Sequence, residues 1–297
     1  MPLYRPKSTI EQWRILQAVV DFGGYAQAGD ALNKSQSSLN HAVSKLQHTL
    51  GVQLLEVKGR KAYLTKEGEV MLRRSRLLTQ NVEELEQLAD NMTSGWEPEI
   101  TIACETIHPI EKLYSALEEF YPQARGTRVR IADEVLTGTK ERILEHSADL
   151  VIIGGDVPKG YSAETLETVS FIAYCGKSHS LAERTEVDIE ELTQELQIVI
   201  SDSSKKPEES GGWLKAEQRW TVSNFFQAIE ILKRGTGFCW IPTHLAKHEV
   251  EQGNITPIQL TSTREKSVLT HLVTPTPNQL GPGATLLKNL FLKQYQE

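Results

Sequence analysis

Residues 10–65 read IEQWRILQAVVDFGGYAQAGDALNKSQSSLNHAVSKLQHTLGVQLLEVKGRKAYLT. The spacing of apolar residues here decides the fold of the N-terminal part. Ile10, Trp13, Leu16, Val19 and Val20 follow Thr9 at helical intervals, so a helix with one buried face starts at a threonine cap. Gly23 and Gly24 end it, as glycine does just past a helix. A second short helix covers roughly Ala26 to Leu32. A third runs from near Ser35 to about Leu50, where Gly51 breaks it. Leu39, Val43, Leu46 and Leu50 turn inward and leave Gln36, Ser37, Asn40, His41 and Lys45 on the opposite face. Val52 to Leu55 and Ala62 to Leu64 are expected as two strands around a basic turn, Lys58-Gly59-Arg60-Lys61.

A polar helix end without bulky apolar side chains is what a DNA major groove accepts. Gln and Asn amides can pair bidentately with adenine, and basic residues at a hairpin tip suit the phosphate backbone. The same periodicity also fits a plain three-helix core with a solvated polar face. Further residues separate the two: Ala28, Leu32, Ser35-Gln36, Leu39, Leu46, Leu50-Gly51-Val52, Leu54, Gly59-Arg60, Leu64-Thr65 and Gly68. In these the stretch resembles the winged helix-turn-helix of LysR-type transcriptional regulators. The resemblance implies contact with double-stranded promoter DNA. The DNA-facing set expected is Ser35, Gln36, Ser37, Ser38, Asn40, His41 and Lys45 on the third helix, with Lys58, Arg60 and Lys61 on the wing. The chain departs from the family pattern at Gly29, Ser37-Ser38, Asn40, Leu55 and Val57.

The chain has 297 residues and a net charge of −7, unevenly placed. Residues 1–76 hold 12 Lys and Arg against 6 Asp and Glu, a net +6, which leaves 20 against 33, a net −13, for residues 77–297. A basic module on an acidic body confines attraction for DNA to one end. From Glu67 to about Asn91 there is no proline and no glycine after Gly68. Met71, Leu78, Leu85 and Met92 recur every seven residues, with Ser75, Val82 and Ala89 between them, a heptad stripe suited to a two-helix coil. Packing of this helix on its own domain is the alternative. The family resemblance implies dimerisation through it, and so a dimer or tetramer with paired reading heads. Arg73, Arg74 and Arg76 lie where they would reach DNA or the wing, and Ser94 to Pro98 reads as a hinge.

Beyond the hinge, strand-like and helix-like segments alternate, which implies a mostly parallel sheet covered by helices. Glu134 to Gly154, His179 with Leu181-Ala182, Trp220 to Phe225 and Gly235 to Leu245 resemble the effector-binding domain of the same family, whose fold is that of periplasmic binding proteins. The fold class expected is thus an N-terminal winged helix-turn-helix, a long linker helix and an α/β effector-binding domain of two subdomains. The boundaries expected are 1–66, 67–95 and 96–297, the last divided into about 98–170 with 268–297 and about 171–267.

Ligands in open α/β sheets sit beyond the carboxyl ends of strands. That rule nominates Cys104, Thr106, Ile107, Thr137, Ser201, Ser203, Asn224 and Phe225 as effector-binding, although Thr106, Thr137 and Asn224 fit ordinary helix capping equally well. Glu105 would oppose an anion if it points inward. Cys104, Cys175 and Cys239 are the only cysteines; Cys104 raises a redox-switched alternative, and no Cys/His spacing suggests a metal. No GxSxG, Walker loop, GxGxxG or HExxH occurs, so neither catalysis nor a cofactor is expected. The N-terminus lacks a secretory apolar core and no run approaches the ~20 residues that span a bilayer, so a cytoplasmic protein without membrane contact is expected. The expected partners are promoter DNA, RNA polymerase and a small-molecule effector. A solute-binding or enzymatic α/β protein carrying an unrelated helical module is the remaining alternative.

Overall fold

The computed structural model describes residues 4–58, 61–206, 214–261 and 266–296. It divides into two compact units, Met1–Thr93 and Ser94–Glu297. In the first, α1 (Ile10–Asp21), α2 (Tyr25–Leu32) and α3 (Gln36–Leu50) precede a hairpin of β1 (Leu55–Lys58) and β2 (Lys61–Leu64), then α4 (Lys66–Thr93). Thr9 starts α1 with a reciprocal cap: its Oγ1 accepts from Gln12 N at 3.3 Å, and Gln12 Oε1 accepts from Thr9 N at 2.9 Å. Trp13, Leu16, Val19, Ala28, Leu39, Val43, Leu46 and Leu54 bury into one core.

The hairpin begins later than its sequence suggests. Gln47 of α3 accepts the N–H groups of Leu54 (2.7 Å) and Leu55 (3.0 Å), so the chain before Leu55 is tied to a side chain instead of a strand. Two close approaches depend on glycine. A Cβ on Gly68 would lie 2.0 Å from Leu54 O, and one on Gly29 would lie 2.8 Å from Lys34 O. The departure at Gly29 therefore goes with a tight turn between α2 and α3.

The linker helix divides its apolar face between two tasks. Leu72, Ser75 and Thr79 turn toward α1, where Gln17 Nε2 donates to Ser75 Oγ (3.1 Å) and Thr79 Oγ1 donates to Gln17 Oε1 (3.2 Å). Ser75 thus belongs to the domain core and not to the open heptad stripe. Arg76 pairs with Asp21 of α1 at the surface, so it is engaged within this unit. The stripe that stays open is Leu78, Val82, Leu85, Ala89 and Met92.

The second unit is a sheet with β4 (Arg128–Glu134), β3 (Glu99–Glu105), β5 (Leu150–Gly154), β11 (Lys266–Val273), β6 (Ala163–Gly176), β9 (Phe238–Pro242), β7 (Gln197–Ile200) and β8 (Arg219–Val222) in that order, and β10 (Ile255–Pro257) beside β6. The outer strands pair in parallel, but β5, β11, β6 and β9 pair antiparallel, so the sheet is mixed where a mostly parallel one was expected. The cause is β6. This 14-residue strand runs beside β11 in one lobe and beside β9 and β10 in the other. Helices α5 (Glu111–Phe120) and α9 (Pro282–Lys293) cover one face of the first lobe and α6 (Thr137–Leu144) covers the other. Helices α7 (Phe225–Leu232) and α8 (Thr243–Glu251) cover the second lobe. Neither α8 nor β10 was foreseen. Within the expected hinge, Trp96 and Glu97 are fastened to this unit: Trp96 Nε1 donates to Thr127 Oγ1 (2.7 Å), and Glu97 accepts from Gly283 N and Ala284 N at the start of α9.

Candidate DNA-reading face and ligand cavity

Ser35 starts α3. Its Oγ accepts from Ser38 N at 3.2 Å, and Ser38 Oγ donates back to Ser35 O at 2.8 Å. These two hydroxyls hold the helix start. Ser37 Oγ lies 3.1 Å from Ser35 Oγ, and Asn40 Oδ1 accepts from Ser44 Oγ at 3.4 Å. Gln36, His41 and Lys45 are exposed and have no side-chain partner among the described residues. All seven helix residues nominated from sequence therefore lie on the exposed side of α3, Ser35 to Ser38 at its positive end, while Leu39, Val43 and Leu46 fill the core. On the wing, Lys58 pairs with Lys61 in register. Arg60 falls outside the described residues.

In the second unit a cavity of about 330 Å³ lies between the lobes. Its first side is Glu105, Ile107, Val135, Leu136, Gly154 and Gly155; its second is Gln197, Ile198, Val199, Ile200, Leu214, Phe225, Cys239 and Trp240. Phe171, Lys266 and Val268 come from the crossing strands β6 and β11. Glu105 is 2 % exposed and accepts from Leu136 N at 3.1 Å and Thr139 Oγ1 at 3.4 Å. Burial raises its carboxyl to about 8, aided by the charges of Asp202 and Glu134, so it is mostly protonated at neutral pH. Leu136 sits at φ 55, a conformation that non-glycine residues rarely adopt and that recurs at functional sites.

Of the residues nominated as effector-binding, Ile107 and Phe225 line the cavity. The others do not, and strand parity explains Cys104. Successive side chains of a strand point to opposite faces. Ile100, Ile102 and Cys104 enter the core under α5 and α9, which leaves Glu105 for the cavity. Thr106 Oγ1 is buried and lacks a partner among the described residues, but Thr106 is not in the cavity wall. Asn224 caps α7 by accepting from Gln227 N (3.0 Å). Thr137 Oγ1 donates to Asp202 Oδ2 (2.5 Å), and Ser203 Oγ donates to Glu134 Oε2 (2.5 Å) while accepting from Val135 N (2.9 Å). Thr137 and Ser203 thus belong to a latch between the lobes. Ser201 continues the β7 edge, its N–H donating to Val222 O (2.8 Å), and is outside the wall. The sequence reading missed Gln197, Trp240 and Lys266; the unbroken apolar runs 198–200 in β7 and 238–241 in β9 were the signal that those two strands have a second, inward face, and Lys266 at the start of β11 carried no such signal.

All three cysteines are free and buried. Burial pushes Cys104 up to about 12, with Asp133 and Glu105 adding to it, Cys175 to about 11 and Cys239 to about 12. Reaction with oxidants needs thiolate, so these environments disfavour a redox switch. Among the described residues no helix is long and apolar enough to cross a membrane.

Residues 10–69 match the family model described as bacterial regulatory helix-turn-helix protein, lysR family, and residues 93–296 match the LysR substrate binding domain. The chain is 27% identical over 252 residues to the uncharacterized HTH-type transcriptional regulator YeeY of Escherichia coli K12, covering 83% of this chain and 82% of that protein. It is 26% identical over 268 residues to the probable HTH-type transcriptional regulator YhaJ of the same strain, covering 88% and 89%. The full-length structure of AphB, a Vibrio cholerae virulence activator, is similar in fold, with a TM-score of 0.51, 14% identity, and coverage of 97% and 99%.

Proposed function

Because the chain belongs to the LysR family of bacterial transcriptional regulators, we propose that Gln36, His41 and Lys45 read and hold promoter DNA from the exposed face of α3, and that an effector in the inter-lobe cavity controls this binding. The observation that carries the reading is that exposed face itself, capped at Ser35 and backed by Leu39, Val43 and Leu46. Ser35 and Ser38 set the helix start, and Ser37 and Asn40 complete the face toward the bases. Lys58, Arg60 and Lys61 serve the phosphates from the wing.

A second copy of the chain covers Leu78, Val82, Leu85, Ala89 and Met92. Leu85 is 72% exposed and Met92 47%, at the three-and-four spacing of a coil seam. Pairing gives a dimer, or a tetramer of two such pairs, and two recognition helices across a dyad read half-sites about 34–36 Å apart or multiples of that distance. The effector acts by binding one assembly better than another, since equal affinity for both would shift nothing. The regulator works in the cytoplasm and answers to RNA polymerase at the promoter.

The test is a gel shift with fragments from the neighbouring promoter region at about 50 and about 200 mM salt. Binding at low salt that falls steeply at high salt supports the reading; no binding at low salt would sink it.

A further inference from the structure

If the inter-lobe cavity is the effector site, as proposed above, its walls constrain the effector. All but three of the lining residues are apolar, the exceptions being Glu105, Gln197 and Lys266. Three of the hydroxyl and amide groups nominated to receive an anion are engaged elsewhere. Thr137 donates to Asp202, Ser203 to Glu134, and Asn224 caps its own helix. Lys266, the one cation lining the cavity among the described residues, has Nζ over the Trp240 ring at 4.5 Å to the centroid. The Trp240 indole N–H is buried without a partner among the described residues, so one donor of a wall residue is left unsatisfied.

Both ionisable side chains are shifted toward their neutral forms. Burial raises Glu105, and burial, with Lys215 nearby, lowers Lys266. A net charge entering walls this apolar would lose its hydration with few groups to replace it. For size, a cavity of about 150 Å³ holds benzene, so one of about 330 Å³ holds roughly two rings.

We infer that the effector is an uncharged, mostly apolar molecule of about a dozen non-hydrogen atoms that carries a hydrogen-bond acceptor. Carboxylates and phosphates of the same size are poor ligands.

Three probes of one size but different charge test this: naphthamide, naphthoate and naphthylmethylammonium. They are titrated by calorimetry into the full chain, and into Ile200→Trp and Val268→Phe variants that fill the cavity from opposite walls. Circular dichroism checks that the variants fold. The amide should bind at least about tenfold tighter than either charged probe, and both folded variants should lose it. Naphthoate or the ammonium matching the amide, with that binding lost in the variants, overturns the uncharged class and leaves the cavity standing as the site. Amide binding that persists unchanged in a folded variant overturns the site as well. No amide binding at about 1 mM overturns the inference, because a preformed apolar cavity of this size should hold it.

Discussion

Replacing Glu105 with Gln should remove a pH-dependent weakness from the C-terminal unit. The carboxyl titrates at about 8 when folded and near the ordinary glutamate value of 4.5 when the chain is open. Below pH 4.5 both states carry the proton and the group contributes nothing. Between 4.5 and about 8 the folded protein keeps a proton that the unfolded chain has released, so stability falls as pH rises. Each unit costs up to about 1.4 kcal/mol, and the full interval up to about 5 kcal/mol. Above about 8 the loss is complete. Glutamine copies the protonated acid in shape and keeps an oxygen for Leu136 N–H, yet cannot ionise. Asp202 and Glu134 lie near enough to raise Glu105, but wild type and variant share them. Paired urea melts at several values between about pH 5 and pH 9 isolate Glu105 as the difference between two curves. The variant should match wild type at the acid end and gain steadily on it toward the alkaline end. Parallel curves, or a wild type that gains on the variant with rising pH, would refute the placement of Glu105 as a buried, protonated wall residue.

Four other outcomes are expected. Gln36→Ala should cost about 1–3 kcal/mol of discrimination at one base position, measured by competition between operator variants; equal loss on random DNA would remove it from base reading. Gly68→Ala should destabilise the N-terminal unit by about 1–3 kcal/mol in thermal melts, because its Cβ would meet Leu54 O at 2.0 Å and backbone must move. The double change Leu78→Glu, Leu85→Glu should lower the mass in sedimentation equilibrium toward that of one chain and weaken operator binding; an unchanged mass would place the oligomer contact elsewhere. Peroxide should leave operator affinity unchanged in wild type and in Cys104→Ala, and a peroxide effect confined to wild type would revive the redox switch.

The N-terminal fold was legible because its signals are local. Thr9, Gly51 and the three-and-four spacing of apolar residues each act within one helix, and the structure places α1 and α3 within a residue of where they read. The division of the α4 face was not legible. Met71, Ser75 and Leu78 share one heptad pattern, and only the docking of α1 decides that Ser75 meets Gln17 while Leu78 stays open. The cavity was half legible for a similar reason. The rule about strand ends led to the right end of the sheet but carries no parity. Cys104 and Glu105 are neighbours in sequence, yet one packs beneath α5 and α9 and the other faces the cavity. Hydroxyls nominated as ligand contacts turned out to join the two lobes, because Asp202 and Ser203 lie about 65 residues from Thr137 and Glu134, a separation no local pattern bridges.

The latch and the cavity share a strand end, and that sharing limits how occupancy can be felt elsewhere. Leu136 lines the cavity and donates its N–H to Glu105, and the next residue, Thr137, donates from both N–H and Oγ1 to Asp202 on the opposite lobe. Ser203, one position on, holds Glu134 and the N–H of Val135. A ligand that displaces Leu136 from its positive-φ conformation therefore moves the peptide that carries the latch. The coupling can be no larger than the difference in the ligand's affinity between latched and unlatched forms. Charge-assisted hydrogen bonds such as Thr137 to Asp202 contribute roughly 1.5–3 kcal/mol each. A ligand able to break the latch must bind the opened form about ten- to a hundredfold better for each such bond. A ligand that merely fills the existing space would instead reinforce it, because its contacts with both lobes are made only while the latch is closed. The two outcomes differ in sign, and Asp202→Asn separates them: weakening the latch should raise affinity for a ligand that opens it and lower affinity for one that closes around it.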